Sequence, residues 1–335
     1  MALNKIKRVC KRIKEEIYST YEIAKVTSVG EAITTFRGKV DIQIMVHNGR
    51  IEKPWIKKHL LKKHNVMNQY FDLVYKEFSE RYRFKDNEES MAKGYNECIW
   101  ICWWQGLDNA PDIVKACVNS IKKNAGGHKV VIITDENYKD FVTFPTFIEE
   151  KYKKGIISKT HLSDLLRLKL LANYGGIWLD STFYCVGSLE DSMKQDLWTI
   201  KRPDYKHVSV ACGEFANYSL GCRYEDRKVY GIIADYLLEY WKKNDYMVDY
   251  LFLDYIIVQV QRRDKYVREK FAAIVPNNPK CDDLMPILGQ KYDEANWQIL
   301  KENTNLFKLT WKAKFPKSIN GEQTYYGKLI SGQLL

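Results

Sequence analysis

The stretch HLSDLLRLKLLANYGGIWLDST, residues 161–182, reads as a helix, a glycine stop, a short apolar strand and a carboxylate at the strand's end. Leu162, Leu165, Leu166 and Leu170 recur at helical spacing. Ser158 is a candidate N-cap, and Gly175 and Gly176 supply the left-handed turn that ends a helix. Ile177, Trp178 and Leu179 then form an apolar strand that delivers Asp180. Open α/β sheets bind ligands outside the carboxyl ends of their strands, so a carboxylate emerging there is placed for chemistry. Asp164 and Arg167 are three apart and share one helix face. An acceptor, a guanidinium fork and a metal-competent carboxylate in one helix–strand unit suit a sugar nucleotide: polar groups for the nucleoside, a divalent ion for the diphosphate.

Upstream, residues 97–104 read as a strand, 112–124 as a helix and 128–134 as a second strand. That alternation implies parallel pairing with right-handed crossovers. The polar run KDNEESMAKGYNE, residues 85–97, reads as a linker. Before it, residues 31–46 alternate like a strand or hairpin, and residues 54–83 carry apolar residues at helical spacing. After Asp180, residues 197–200 and 207–211 read as strands, 225–243 and 249–262 as helices, and 306–312 as a closing strand. The expected organisation is a basic, helical region over residues 1–90 and a ligand-binding domain over 91–335. Its nucleotide-binding half is about 97–190 and its acceptor-binding half about 191–335.

No apolar run approaches the roughly 20 residues needed to cross a bilayer, and the N-terminus lacks the apolar core of a signal peptide. The expected location is therefore the cytoplasm. Eight cysteines are scattered without a CxxC pair or zinc spacing, which fits a reducing compartment; Cys102, Cys117 and Cys185 are expected to pack as small apolar residues. The net charge of +11 favours acidic partners, but no nucleic-acid-binding motif accompanies it, so nucleic acid is not the expected partner. No GxxxxGK[ST] loop, no GxGxxG after a strand and no Ser-His-Asp arrangement is readable. At the N-terminus Leu3, Ile6, Cys10, Ile13 and Ile17 form an apolar stripe, opposite Lys5, Lys7, Arg8, Lys11, Arg12 and Lys14. Two readings stay open: a surface helix docked on the domain, or an interfacial helix lying on an anionic membrane.

Residues 161–182, together with IWICWWQG at 99–106 and AGGH at 125–128, resemble the capsular polysaccharide synthesis glycosyltransferases, relatives of the DXD-containing sugar transferases. The resemblance is specific over residues 97–189. It implies an α/β fold with a GT-A-like, Rossmann-type nucleotide-binding sheet and helical N-terminal and C-terminal additions. It also implies a nucleotide-sugar donor, a UDP-sugar by preference. The implied acceptor is a lipid-linked (pyrophosphate) or growing cell-surface glycan, and transfer is with retention. Association with the cytoplasmic face of a membrane follows from such an acceptor.

The resemblance also assigns roles. Asp180 corresponds to the first Asp of the DXD triplet, which holds Mn2+ or Mg2+ on the diphosphate. Here the triplet is Asp180-Ser181-Thr182, so the second Asp is missing. The plainer reading of Asp180 is a turn cap at a strand end. Asp164 and Arg167 match the pair that contacts the nucleotide; otherwise they are an ion pair on a solvated face. Trp100 matches a tryptophan that stacks on uracil, with Gln105 and Gly106 opening the first loop and Gly176 in the glycine stop; the alternative for Trp100 is core. Trp311 and Lys312 match a segment that closes over the diphosphate. Asp254, inside an apolar helix, needs a partner: it is an acceptor-side base, a sugar ligand or a paired structural Asp. Asp282 and Asp283 read as a turn, and His128 and His161 as structural. Two other classes remain: a sugar-nucleotide or glycan-binding protein without turnover, and a basic membrane-associated scaffold.

Overall fold

A computed structural model describes the backbone of residues 2–49, 51–85 and 93–334, and side chains from residue 13 onward. Helices α1 (Ala2–Val26), α2 (Val29–His47), α3 (Pro54–Val74) and α4 (Lys76–Arg81) come first. The α/β portion follows: β1 (Ile99–Cys102), α5 (Asp112–Asn124), β2 (Val130–Ile133), α6 (Thr146–Lys153), α7 (Lys159–Tyr174), β3 (Gly176–Leu179) and β4 (Phe183–Cys185). Next are α8 (Glu190–Met193), β5 (Leu197–Thr199), β6 (Ser219–Cys222), α9 (Lys228–Lys243), α10 (Phe252–Arg263) and α11 (Lys265–Ala272). The chain closes with α12 (Leu284–Ile287), α13 (Glu294–Lys301), β7 (Leu306–Lys308), β8 (Ser318–Ile319), β9 (Glu322–Gln323) and α14 (Tyr325–Ile330).

The main sheet runs β2-β1-β3-β6-β5. β1 pairs parallel with both β2 and β3, as the strand–helix–strand alternation requires. β6 then pairs antiparallel with β3, and β5 antiparallel with β6. A separate two-stranded ladder joins β4 to β7, with Phe183 opposite Lys308.

Side-chain alternation along β1 builds two cores, one on each face of the sheet. Trp100 joins Trp178, Leu165, Leu166 and residues of α9 and α10 on one face. Ile99 and Ile101 join Ile177, Leu179, α5 and the β4–β7 ladder on the other. Ile23, Ala32, Met67, Tyr70 and Phe71 of the N-terminal helices belong to the first core, so α1–α3 are packed onto the α/β body. The linker expected at residues 85–97 falls largely on 86–92, outside the described residues.

Two expected elements are different. Residues 31–46 are helical within α2, not a strand. The β-branched residues there alternate locally, but Ala32, Thr35, Gly38 and Met45 recur at helical spacing and pack inward. Residues 207–211 form turns and bends; the strand that pairs with β3 is β6, further along.

The outward side of α2 is unusual. Val29, Ile33, Phe36, Val40 and Ile44 share one side and are exposed, from 39% for Ile44 to 68% for Val29. The inward side carries Thr35, Gly38 and Asp41, so the helix is apolar outside and polar or small inside. Ile13, Ile17 and Tyr21 of α1 are likewise exposed. The described part of the N-terminal apolar stripe therefore does not dock on the domain; Leu3, Ile6, Cys10 and the basic residues through Arg12 lie outside the described side chains.

Candidate active site

Helix α7 begins as expected: the Ser158 hydroxyl accepts a hydrogen bond from the His161 backbone N–H. It ends at Gly175 with φ +65, followed by Gly176 with φ +86. A Cβ on Gly176 would lie 2.1 Å from the Cys98 carbonyl oxygen. Gly176 therefore serves the close approach of β3 to β1, at the far end of the strand from Asp180. That corrects its assignment to the nucleotide site.

Asp180 leaves β3 at the carboxyl end. Its backbone N–H donates to the Tyr218 carbonyl at 3.1 Å, and its carbonyl accepts from the Phe183 N–H at 3.0 Å, closing a tight turn. Both carboxylate oxygens are engaged. Oδ1 accepts from the Trp178 indole N–H at 3.1 Å, and Oδ2 from the Lys308 ammonium at 3.1 Å. The same ammonium donates to Thr182 Oγ1 at 2.7 Å. Burial alone would raise the Asp180 pKa, but Lys308 and Arg167 hold it below the usual carboxylate value.

Asp164 and Arg167 are paired, Oδ1 to Nη2, at 3.1 Å. They are not on a solvated face: Arg167 is buried, and its guanidinium lies 5.1 Å from the Trp178 ring centroid. Nη1 donates to the Asn217 carbonyl, and Nη2 is 4.0 Å from Asp180 Oδ1. Burial pushes the Asp164 carboxyl up to about 7, against the pull of Arg167. Neighbouring carboxylates pushed in opposite directions are a common mark of functional sites.

Asp254 is buried and reaches this group indirectly. It accepts from the Ser209 hydroxyl and from the Asn217 side-chain amide, the latter at 2.5 Å. Burial raises its pKa to about 6, opposed by those two bonds. With both oxygens occupied, Asp254 positions Asn217, and through it Arg167. Of the three expected readings, these bonds correspond to the paired Asp.

Trp100 is fully buried, donates its indole N–H to the Gly175 carbonyl at 3.0 Å and packs among Tyr95, Phe141 and Tyr174. No ring face is left for a base, so the stacking assignment is corrected: alternation along β1 turns Trp100 into the core. The tryptophan on the other side, Trp103, meets Trp311 edge-on with centroids 5.8 Å apart. Trp311 is 46% exposed and Lys312 beside it is exposed. Gln105 is exposed and Gly106 has φ +75 in the loop after β1, closed by a Gly106 N–H bond to the Trp103 carbonyl. The C-terminal segment and the first loop thus meet just beyond the carboxyl end of β1.

Several residues at the site were not singled out from sequence: Lys308, Asn217, Ser209, Tyr218 and Arg202. Arg202 bonds Asp282 at 3.0 Å and the Tyr218 hydroxyl at 3.2 Å, and Lys308 lies 5.5 Å from the Tyr218 ring. Asp282 is thus committed to an arginine. The closing strand expected at 306–312, of which residues 306–308 are strand, was the available signal for Lys308. His161 is half-buried, and burial lowers its pKa to about 4. The seven described cysteines are free.

The expected Mn2+ or Mg2+ was tested against this donor set. These ions take several hard oxygen ligands around a near-octahedral centre. Asp180 offers a carboxylate already bonded to an indole and an ammonium. Among the described residues no group of three or more His, Cys, Asp or Glu is placed to hold a metal. The Lys308 ammonium occupies both the Asp180 and the Thr182 oxygens that a divalent ion would share with a diphosphate, and its charge opposes one there.

The profile of the capsular polysaccharide synthesis proteins matches residues 47–329. The chain belongs to that family. The chain is 31% identical over 111 residues to the O-glycosyltransferase PaGT of Phomopsis amygdali, covering 30% of this chain and 26% of that protein. It is 28% identical over 102 residues to the O-glycosyltransferase braB of Annulohypoxylon truncatum, covering 28% and 24%. The match thus spans about a quarter of these curated relatives. Among solved structures, the PaToxG glycosyltransferase aligns with TM-score 0.35 and 13% identity, over 64% of this chain and 82% of that one. The WbbM bifunctional glycosyltransferase aligns with TM-score 0.41 and 8% identity, over 95% and 70%.

Proposed function

We propose that this chain transfers a sugar from a nucleotide donor, a UDP-sugar by preference, to a lipid-linked or growing cell-surface glycan, with retention. The observation that carries the reading is Asp180 at the carboxyl end of β3, bracketed by Lys308 and Arg167, with the half-buried Trp103 against the exposed Trp311 just beyond the end of β1. Cations beside Asp180 and indoles at the end of the neighbouring strand suit a diphosphate joined to a planar base. Asp164, Asn217 and Asp254 hold Arg167 in place behind Asp180. Catalysis would rest on positioning and on stabilising charge as the diphosphate leaves.

The acceptor side of the proposal draws on α1 and α2. Exposed apolar residues on α1 and α2, together with the exposed Lys14, Arg37, Lys58 and Lys62 on α1 to α3, suit the interface of an anionic bilayer. An open groove between α2 and α3, lined by Thr34, Lys57, Lys58, Leu61 and Lys62, lies beside it. No helix among the described residues is long and apolar enough to cross a membrane. The proposed location is peripheral, on the cytoplasmic membrane face.

The test is release of free nucleotide from a panel of UDP- and GDP-sugars, by wild type and Asp180→Asn. Turnover of one donor, lost in the variant, is expected. Silence across the panel together with no binding of UDP or GDP would overturn the reading.

A further inference from the structure

We infer that the Lys308 ammonium is the resident cation of this site: it neutralises the departing diphosphate, and transfer needs no divalent metal. The inference rests on the transferase reading above and concerns how that site handles charge. Asp180 and Thr182 are the first and third residues of the triplet that the resemblance assigns to a metal. In this chain both hold the same lysine, at 3.1 Å and 2.7 Å. A positive charge therefore stands where the divalent ion was expected.

The placement is built into the fold. Lys308 is opposite Phe183 in the β4–β7 ladder, and its backbone N–H donates to the Cys281 carbonyl at 2.8 Å. The next N–H, of Leu309, donates to the Thr182 carbonyl at 2.9 Å, which ties the lysine strand to the Asp180 turn itself. The ammonium passes over the Phe183 and Tyr218 rings, 5.4 and 5.5 Å from their centroids. It is held by backbone pairing on one side and aromatic faces on the other. Its side chain keeps 21% of its surface exposed, so it is reachable by a ligand at the strand ends. An ammonium has three N–H donors, and these two bonds use two of them. The third is available to a phosphate oxygen.

The missing second Asp then has a physical reason. A second carboxylate would recruit a hard cation, whereas Thr182 instead offers an oxygen that orients the lysine. In the transfer itself, the bond from the anomeric carbon to the diphosphate oxygen breaks, and its electron pair stays on that oxygen. The acceptor hydroxyl oxygen forms the new bond to the anomeric carbon, and its proton passes to the released diphosphate. Lys308 donates a hydrogen bond to the diphosphate throughout and is itself neither consumed nor deprotonated.

The experiment compares wild type, Lys308→Met, Lys308→Arg and Lys308→Glu, each freed of metal with a chelator and assayed with and without added Mn2+. Nucleotide release from the accepted donor and calorimetric binding of UDP and of Mn2+ alone are read, with circular dichroism to confirm folding. Wild type is expected to turn over equally with chelator or Mn2+. Lys308→Met should lose about 100-fold or more in turnover and bind UDP more weakly, with Lys308→Arg recovering part of both. Lys308→Glu, which places a second carboxylate beside Asp180, should bind Mn2+ where wild type does not. Wild-type turnover that vanishes with chelator and returns with Mn2+ would overturn the inference while leaving the transferase reading intact. So would full activity in folded Lys308→Met. Absence of both nucleotide binding and turnover in every variant would overturn both.

Discussion

Lys63 of α3 offers the most incisive test of how the N-terminal helices are joined to the α/β body. It is fully buried, and its ammonium lies 2.6 Å from Asp249 Oδ2, just before α10. Their mutual attraction, with the Tyr255 ring centroid 5.5 Å from the ammonium, offsets their burial. The other oxygen of Asp249 accepts from the Leu251 N–H at 2.9 Å. Space around the lysine is tight as well: a Cβ on Gly38 of α2 would lie 2.8 Å from Lys63 Cβ. Removing one member of such a pair leaves an uncompensated buried charge, which costs about 3–5 kcal/mol, whereas neutralising both is often nearly neutral. Lys63→Met keeps most of the stem and removes the charge, so it should lose about 3–5 kcal/mol, a third or more of a typical stability. Asp249→Asn should lose a similar amount. The double variant keeps an acceptor for Leu251 and strands no charge, so it should lie within about 1 kcal/mol of wild type. Urea unfolding followed by tryptophan fluorescence and circular dichroism, with unchanged slopes, measures all four corners of the cycle. Single variants that lose less than about 1 kcal/mol, or a double variant that loses the sum of the two, would refute the reasoning.

Four further outcomes are expected. Gly176→Ala should lose about 2 kcal/mol or more, because φ is +86 and the new Cβ would meet the Cys98 carbonyl at 2.1 Å; thermal unfolding checks it. His64 is buried, and burial followed by the neighbouring Lys63 lowers its pKa to about 4. The unfolded state takes up that proton below the usual 6.5, so stability is full above pH 6.5 and falls by about 3 kcal/mol as pH drops toward 4; urea midpoints for wild type and His64→Gln across that window test it. Trp103→Ala should weaken UDP binding about tenfold, while Trp100→Phe should alter stability and leave binding unchanged, as read by calorimetry. Ile33→Asp with Val40→Asp should abolish sedimentation with phosphatidylglycerol vesicles and leave thermal stability unchanged, since both residues are exposed.

The helix–glycine–strand–carboxylate unit was legible because each of its signals is local. The Ser158 cap, the paired glycines and the leucine spacing all act within a few residues, and they agree with one another. Helix α5 was legible for the same reason. Helix α2 was not: its apolar residues face outward, so the periodicity that normally marks a buried face points the wrong way. β6 was hidden because Ser219, Gly221 and Cys222 lack the bulk that marks a strand, and its place is set by pairing with β3. Along β1 the alternation gave two sides, but which side meets α7 depends on tertiary packing, and that decided against Trp100. Lys308 was the hardest to find. It reaches Asp180 across 128 residues of sequence, through a β4–β7 register that no local pattern encodes.

On the proposed function, the Asp180 site breaks a sugar–diphosphate bond. Phosphorus NMR of a UDP-sugar incubated with the chain and an acceptor glycan follows that bond directly. The diester signals of the donor should give way to those of free UDP with wild type, and fall to background with Asp180→Asn. Donor signals unchanged by wild type for every sugar that binds, or lost equally with the variant, would contradict the account.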